Sequence, residues 1–338
     1  MTPRRRLLPL FVPHLGCPHL CVFCNQNTIT GTDYSATKDN ICHILENTEM
    51  NSYDQPLELA FYGGSFTAVP PSVQRELLEC VQPYRKAGLI GDIRCSTRPD
   101  AVSEEILTML KEYGVRTIEL GCQSMDPDVL SMSGRGHTPE DVCRAAELIH
   151  DAGVDLIVQM MTGLPGDSDE KSINTAVELV KLHPEGARIY PTVIIRDTKL
   201  FDMWNEGEYK EHTVEDAVRV GSRIIPIFQH AGVPVIRFGL NPTEELSNGE
   251  AVAGAYHPAL GELVYSRIML NNAREVMGSS CQGKDAVLRV GKGRTSKMAG
   301  QHRDNLKTLQ KEFLLNSIKI REDDGIVDDS VLIDFIAK

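Results

Sequence analysis

Three cysteines, Cys17, Cys21 and Cys24, lie within eight residues near the amino terminus, in the stretch GCPHLCVFCNQ. A short loop returns each sulfur to the same side of the chain, so thiolates at this spacing can surround one metal centre. Structural zinc sites usually take four ligands in two pairs, and the sequence contains no second Cys-x-x-Cys pair. An iron-sulfur cluster held by three thiolates instead leaves one iron open to a substrate or cofactor.

The cysteine triplet also leaves two alternatives to such a cluster open. Zinc is one, with His14 or His19 completing a tetrahedral site. Three buried thiols that bind no metal are the second, although such close spacing in a loop that carries Pro and Asn is untypical of a protein core. The triplet therefore favours an iron-sulfur cluster with the three cysteines as its ligands.

The elements that must position this loop follow the pattern of βα units around a parallel sheet. Six apolar runs predict strands: LLPLFVP, LELAFYGG, DIRCSTRP, VRTIELGCQS, DLIVQMMTGLPG and ARIYPTVII. Four stretches between them predict helices, several with Ser, Thr or Asp as N-cap: SVQRELLECVQPYRKAG, SEEILTMLKEYG, TPEDVCRAAELIHDAG and DEKSINTAVELVKLHP. Six units are too few for a closed eight-fold barrel, so we predict an α/β fold with a partial (β/α)6 TIM-type barrel. An open doubly wound sheet is the alternative.

Polar and glycine-rich residues cluster just after the strands, in GGSFT, STRPD, CQSMD and TGLPGD. In a barrel of parallel strands, the loops at that edge build the functional site. After VPVIRFGL the composition changes. We therefore predict a barrel domain over residues 1–240 and a small C-terminal α+β accessory region over residues 241–338.

The composition indicates the compartment and the class of partner. Nine cysteines in 338 residues are an odd number, far below the density of a disulfide-stapled secreted domain. The basic start MTPRRRLLPLFVPH has only a short, proline-containing apolar run, and no stretch is long enough to span a membrane. A net charge of -12 is unlike a protein coated in positive charge for general nucleic-acid binding. These features predict a cytoplasmic protein with no membrane partner.

The CxxxCxxC spacing, directly after a first strand, resembles the radical S-adenosylmethionine (radical SAM) superfamily. Later stretches resemble the radical SAM portion of the elongator subunit Elp3, from about residue 7 to about residue 240: STRPD, IELGCQSMD, GRGHT, MTGLPGD and IYPTVIIRDTKLFDMW. This Elp3-like resemblance implies an enzyme with the barrel of radical SAM enzymes. It does not extend to the acetyltransferase domain, so the elongator reaction is not expected to carry over intact.

The resemblance also implies the cofactors. In this superfamily the open iron of a [4Fe-4S] cluster chelates SAM, and one-electron reduction cleaves the sulfonium to a 5′-deoxyadenosyl radical. An electron donor such as flavodoxin or ferredoxin is then implied as a partner. The residues in the places that contact SAM are Phe23, Gly63, Gly64, Ser96, Gln123, Arg135 and Gln159. Ser65 stands where the superfamily often has an acid, which puts a carboxylate role there in doubt.

For the substrate, the resemblance implies tRNA or another RNA. A basic loop over residues 284–303 carries six Lys and Arg residues that could contact phosphates, and a solvated surface loop without a ligand is the alternative. A small molecule, as in the coproporphyrinogen oxidase-like branch, is the second hypothesis, because net acidity does not favour RNA. A non-catalytic module that uses its metal structurally is the third. The polar residues after nearly every strand argue against it, since an inert scaffold would not need them.

Overall fold

The computed structural model describes residues 6–12, 17, 21–25, 38–50, 55–240, 249–278 and 281–336. His14 and His19, the candidate zinc ligands, lie outside the described residues. The chain forms two compact units, Met1–His212 with Ile227–Tyr256, and Thr213–Pro226 with His257–Lys338. The functional division at residue 240 stays a prediction. The two units differ from it because residues 213–226 group with the second unit and residues up to Tyr256 group with the first.

Seven parallel strands form the main sheet of the first unit, in the order β1-β2-β3-β4-β5-β6-β8. The strands are β1 (Leu7–Val12), β2 (Leu57–Gly63), β3 (Ile90–Thr97), β4 (Val115–Gln123), β5 (Asp155–Thr162), β6 (Gly186–Pro191) and β8 (Val235–Phe238). The order follows the chain without a reversal, as in a barrel, whereas a doubly wound sheet reverses at a switch point. The partial barrel is therefore confirmed, and its seventh strand, β8, lies in the strand-like stretch VPVIRFGL that follows the six predicted units.

Helices connect these strands. They are α1 (Lys38–Asn47), α2 (Pro71–Lys86), α3 (Glu104–Glu112), α4 (Pro127–Met132), α5 (Pro139–Asp151), α6 (Asp169–Val180), α7 (Lys199–Asn205) and α8 (Val214–His230). The side chains of Ser103, Thr138 and Ser168 accept hydrogen bonds from backbone N–H groups at the starts of α3, α5 and α6, as their residue types predict. The four predicted helical stretches correspond to α2, α3, α5 and α6. A short antiparallel pair, β7 (Val193–Ile195) with β9 (Ala251–Gly254), completes the first unit.

The two faces of the main sheet differ in chemistry, and β4 shows the difference. Successive side chains of a strand point to opposite faces. Ile118, Leu120 and Cys122 alternate on one face and are fully buried in the core. Glu119 and Gly121 alternate with them and lie on the other face, which we call the inner face. That face carries polar and charged side chains from neighbouring strands.

The second unit is a small α+β structure. Helices α9 (Leu260–Val276), α10 (Thr295–Ala299) and α11 (Asp304–Glu312) accompany a three-stranded sheet of order β11-β10-β12. Its strands are β10 (Asp285–Val290), β11 (Ser317–Glu322) and β12 (Val331–Ile336). Apolar residues of α9 and of these strands share one core, which includes Met269, Leu288 and Val331.

The prediction of a basic loop over residues 284–303 is wrong, because this segment contains β10 and α10. Its cations are also largely paired within the unit. Arg289 lies 2.9 Å from Asp323 and 3.0 Å from Asp334, and Arg294 lies 3.3 Å from Asp329. These carboxylates come from the acidic stretch DDGIVDDS and from β12. They neutralise Arg289 and Arg294, which would otherwise be available to bind phosphates.

The remaining cations of the segment differ in exposure. Lys297 lies over the ring of Tyr265, with its Nζ 4.7 Å from the ring centroid, and 3.7 Å from Glu262. Lys284, Lys292 and Arg303 are exposed. Across the described parts of the chain, no helix combines the length and the apolar character needed to cross a bilayer.

Candidate active site

The cysteine loop follows β1 at the carboxyl edge of the sheet. Cys17, Cys21 and Cys24 are all partly buried. The backbone N–H of Cys24 donates to the carbonyl of Cys21 at 3.1 Å, which closes a tight turn. Val22 fixes this turn, since its N–H donates to the carbonyl of Ser133 and its own carbonyl accepts from Leu200. Backbone hydrogen bonds therefore hold the turn at residues 21–24 against the segments that follow β4 and β7.

Arg135 joins the cysteine loop to the central strands. Its Nη1 lies 3.3 Å from Sγ of Cys21, and its Nη2 donates to the carbonyl of Gly121 at 2.7 Å. The side chain is buried, and its Nε has no hydrogen-bond partner among the described residues. Arg135 thus links Cys21 to Gly121 on β4.

Gln123 ends β4 in an unusual backbone conformation, with φ of 62°. A positive φ is uncommon outside glycine and marks a constrained position. Its buried Oε1 has no hydrogen-bond partner among the described residues. Gly121 lies beside it, and a Cβ at that position would come within 3.2 Å of Gln123 Nε2 and 3.3 Å of Arg135 Nη2. The absent side chain of Gly121 thus makes room for both polar groups.

The predicted contact residues on β2 and β3 also lie at this edge. Gly63 has φ of 101°, a conformation that favours glycine, and the N–H of Gly64 donates to the carbonyl of Val12 at 2.9 Å. Ser96 pairs in register with Glu119, and its hydroxyl lies 3.4 Å from the carbonyl of Phe61. These residues are near the expected place, and their contacts with a cofactor stay a prediction.

Ser65 and Phe23 have contacts of their own. Ser65 is buried and its Oγ lies 2.9 Å from Oγ1 of Thr97, so the hydroxyl serves the packing between β2 and β3. Phe23 packs against a small apolar cluster that includes Ile194 and Leu200. The role of Phe23 beside an adenine stays a prediction.

Gln159 lies on β5, in register with Gly121 on β4. Its Nε2 donates to Oε2 of Glu119 at 2.8 Å. Gln159, Gln123 and Arg135 therefore meet around Gly121, next to Cys21. Three of the seven predicted cofactor contacts are brought together with one of the three predicted metal ligands.

A buried ionic network on the inner face, centred on Glu119, was missed by the sequence analysis. Oε1 of Glu119 accepts from the hydroxyl of Tyr62 at 2.7 Å and from Nη1 of Arg94 at 3.0 Å. Oε2 lies 2.9 Å from Nε of Arg188, whose Nη2 also lies 3.1 Å from the Tyr62 hydroxyl. Arg94 bonds Glu58 as well, at 2.8 Å. Strands β2 to β6 each contribute to this network.

The network keeps Glu119 ionised. Burial alone would raise the pKa of its carboxyl, but the charge of Arg188 and the hydrogen bonds from Tyr62 and Arg94 outweigh burial and hold the pKa below its ordinary value. Burial and the neighbouring carboxylate raise the pKa of Tyr62. Tyr62 is therefore a protonated donor to a carboxylate that only accepts.

A signal for this network exists in the sequence. Three pairs of residues differ by an even number of positions within a predicted strand: Glu58 and Tyr62, Arg94 and Ser96, and Glu119 and Gly121. Even spacing puts both members of a pair on one face of a strand. Charged residues at such positions in otherwise apolar runs indicate a polar interior of the barrel.

His137 lies behind this site, in the GRGHT stretch. It is buried, and one ring nitrogen lies 3.1 Å from the carbonyl of Cys122. Burial and the charge of Arg135 lower its pKa to about 4. His137 is therefore neutral at physiological pH and adds no charge near Arg135.

The donor set at the cysteine loop fits an iron-sulfur cluster. Among the residues that the structure describes, no three His, Cys, Asp or Glu side chains are gathered closely enough to hold a metal ion. Three partly buried cysteines nevertheless share one short loop, and a buried guanidinium, that of Arg135, lies 3.3 Å from the sulfur of Cys21. The buried Oε1 of Gln123 and Nε of Arg135 lack partners at the same place, as expected of groups that bind a polar ligand.

The family model of the radical SAM superfamily matches residues 11–179, and that of the radical SAM C-terminal domain matches residues 184–269. The elongator complex protein 3 of Bos taurus is 26% identical over 303 residues, which is 76% of this chain and 54% of that protein.

The tRNA uridine(34) acetyltransferase of Methanocaldococcus jannaschii is 34% identical over 184 residues, 48% of this chain and 34% of that protein. The chain thus matches about half, or less, of the length of these two relatives. Among solved structures, archaeal Elp3 from Methanocaldococcus infernus superposes with a TM-score of 0.62 and 23% identity, over 86% of this chain and 67% of that one. This likeness supports the α/β barrel fold.

Proposed function

This chain belongs to the radical SAM superfamily, whose model matches residues 11–179, and from that premise we propose that Cys17, Cys21 and Cys24 hold its [4Fe-4S] cluster. Membership makes the protein a radical SAM enzyme and gives its cofactors, the cluster and SAM. The assignment of ligands rests on the CxxxCxxC spacing, on the position of the loop after β1 and on the contact between Arg135 and Cys21.

We further propose that SAM binds at the carboxyl edge of the sheet, next to the cysteine loop. The bound cofactors supply reductive cleavage of the sulfonium and a 5′-deoxyadenosyl radical that abstracts hydrogen. Gln123, Arg135 and Gln159 bind and orient SAM. The glycines at Gly63 and Gly64 let backbone approach it, while Ser96 and Phe23 contact its edges.

One observation carries this proposal. Buried polar atoms of Gln123 and Arg135 have no hydrogen-bond partner among the described residues, and the same guanidinium reaches the sulfur of Cys21. Unsatisfied buried polar groups cost about 1 to 3 kcal/mol each. A ligand that satisfies them beside a cysteine sulfur recovers that cost.

The cluster assignment is tested on protein purified and reconstituted without oxygen. Mössbauer spectra and iron and sulfide analysis should show one [4Fe-4S] cluster, and Ala at any one of the three cysteines should abolish it. Cys143→Ala, in helix α5, is the matched control and should keep the cluster. Stoichiometric zinc without sulfide would overturn the assignment.

For the substrate we propose tRNA. Relatives of this chain include elongator complex protein 3 and an archaeal tRNA uridine(34) acetyltransferase, and the name of the latter states a tRNA substrate. The proposal covers recognition of the RNA and abstraction of a hydrogen atom. It does not extend to the later steps of the reactions of those relatives. An anaerobic pull-down with total RNA and metabolites, followed by mass spectrometry, tests it; retained tRNA is the expected result.

A small-molecule substrate is the second candidate, and the second unit supplies the observation that favours it. Arg289 and Arg294 are held by carboxylates of the same unit, which leaves fewer cations for phosphates than the sequence predicts. Enrichment of a metabolite in the pull-down without RNA would support this candidate. In either case we propose a cytoplasmic location and a flavodoxin or ferredoxin as electron donor.

A further inference from the structure

The orientation of the Gln159 side-chain amide decides what that residue offers to a ligand. An amide has a carbonyl oxygen that accepts hydrogen bonds and an NH2 group that donates them. The two ends have nearly the same shape, so their assignment follows from the hydrogen-bond network. The importance of this orientation for SAM rests on the proposed function, in which Gln159 contacts that cofactor.

The neighbour that fixes this orientation is Glu119. An ionised carboxylate has no proton to donate, so the Gln159 atom 2.8 Å from Oε2 of Glu119 must be the NH2 nitrogen. Glu119 stays ionised because the guanidinium groups of Arg94 and Arg188 both bond it. Its side chain is only 1% exposed, so water does not compete for these contacts.

The carbonyl end of the amide is then available to the site. With NH2 bound to Glu119, the carbonyl Oε1 of Gln159 is turned away from the carboxylate, and it accepts no hydrogen bond from the described residues. Gln159 is half-buried and pairs in register with Gly121, whose missing side chain opens the space shared by Gln123 and Arg135.

We propose that Glu119 is a positioning residue that makes Gln159 an obligate hydrogen-bond acceptor in the cofactor site. An acceptor selects a ligand group that carries a proton, and the hydroxyl groups of the SAM ribose are such donors. The carboxylate of the methionyl part is not, because it is itself only an acceptor. Glu119, through its direct contact with the Gln159 amide, thus sets the hydrogen-bond preference of that residue.

An exchange of the carboxylate at position 119 and the amide at position 159 provides the sharpest test. In Glu119→Gln, position 119 presents an amide, so Gln159 is free to turn its NH2 to the ligand. In the double variant Glu119→Gln with Gln159→Glu, the amide at 119 donates to the carboxylate at 159. The second carboxylate oxygen then faces the ligand as an acceptor, and the net charge of the network is unchanged.

The experiment measures dissociation constants for SAM and for its 2′-deoxy and 3′-deoxy ribose analogues, by equilibrium dialysis with anaerobically reconstituted protein. We expect Glu119→Gln to weaken SAM binding about tenfold, the effect of one hydrogen bond, and to reduce the preference for SAM over at least one analogue. The double variant should recover most of the affinity and of that preference.

Glu58→Gln is the matched control. Glu58 bonds Arg94 in the same network but does not touch Gln159, so this variant should bind SAM within about twofold of the wild type. Iron content and melting temperature are measured for every variant. If Glu119→Gln does not fold, Gln159→Met, which removes the acceptor and leaves Glu119 in place, should lose the preference for the ribose hydroxyls.

The outcomes separate the role of Glu119 from the proposed function. Wild-type protein that carries its cluster but binds no SAM would overturn the proposed function, and the role of Glu119 with it. Wild-type protein that binds SAM, with Glu119→Gln equal to Glu58→Gln or with no recovery in the double variant, would overturn the role of Glu119 alone. An unchanged ribose preference in Gln159→Met would do the same.

Discussion

Arg135 and Gln123 are the residues whose unsatisfied atoms define the proposed cofactor site. We expect Gln123→Ala and Arg135→Ala to weaken SAM binding by roughly 10 to 100-fold, because each removes a hydrogen bond that involves a charged or buried group. Equilibrium dialysis with reconstituted protein measures this. Arg144→Ala, on the exposed side of α5, is the control and should bind SAM normally.

Iron content distinguishes two roles of Arg135. If Arg135 binds SAM and its contact with Cys21 is not needed to hold the cluster, Arg135→Ala should keep its iron content. Loss of iron together with SAM affinity would instead assign Arg135 to the folding of the cysteine loop, and would contradict the role proposed for it.

His137 makes stability depend on pH. Its pKa falls from 6.5 in an exposed histidine to about 4 in the folded protein, so the unfolded chain binds a proton between these values that the folded protein does not. The free energy of unfolding should therefore decrease as the pH falls from 6.5 towards 4, by roughly 2 kcal/mol at pH 5.

Urea unfolding at pH 7 and pH 5 checks this prediction. His137→Gln has no titratable ring, so its free energy of unfolding should change less between the two pH values than that of the wild type. His150→Gln, at an exposed position of α5, serves as the control. An equal decrease in the free energy of unfolding in His137→Gln and in the wild type would show that groups other than His137 cause the loss of stability in acid.

At the scale of the elements, the junction of β4 and β5 depends on the absence of a side chain at Gly121. In Gly121→Ala the added Cβ would crowd Gln123 Nε2 at 3.2 Å and Arg135 Nη2 at 3.3 Å. We expect both side chains to shift and SAM affinity to fall at least several-fold, with a melting temperature within a few degrees of the wild type.

Gly325→Ala is the matched control for this change. Its Cβ would meet only the flexible side chain of Asp323, at 3.2 Å, in the second unit. Both variants are compared by dialysis and thermal unfolding. Normal SAM binding in Gly121→Ala would contradict the proposed position of the cofactor.

The sequence predicts the strands and helices well where hydrophobic periodicity is strong. Helices α2, α3, α5 and α6 begin and end within a few residues of the predicted stretches, because their apolar stripes and N-caps are local features. Helix α1 lies outside the four predicted stretches. Its hydrophobic positions are few, with only Ile41 and Leu45 buried, so its helical pattern is weak.

The candidate site was predictable only in part, for a physical reason. Cys17, Cys21 and Cys24 stand out because their spacing is local, and a motif reveals them. Glu119 and Arg188 lie 69 residues apart in the chain and meet only through the order of the strands. A single sequence carries no direct record of such pairing, and the same holds for Arg294 with Asp329 in the second unit.

At the scale of the whole molecule, an acidic chain must bind RNA through a few exposed cations. We expect Lys292→Gln with Arg303→Gln to weaken tRNA binding and to flatten its salt dependence by roughly one slope unit per lost phosphate contact. Arg289→Gln should change neither, because Arg289 is held by Asp323 and Asp334.

Filter binding of tRNA across a range of salt concentrations measures these slopes. Binding that is insensitive to salt, or unchanged in the Lys292 and Arg303 double variant, would contradict an RNA contact at these residues of the second unit. SAM cleavage without substrate should be unaffected in both variants, because none of these residues is assigned to the cofactor.

The central claim is that three cysteines hold the cluster with which this enzyme cleaves SAM, and one measurement tests it most directly. The reconstituted protein is reduced with dithionite in the presence of SAM without oxygen, and 5′-deoxyadenosine is quantified by chromatography. We predict formation of 5′-deoxyadenosine by the wild type and by Cys143→Ala, and none above background by Cys17→Ala, Cys21→Ala or Cys24→Ala. A cluster-loaded wild type that forms none, or a cysteine variant of the loop that forms as much, would contradict the account.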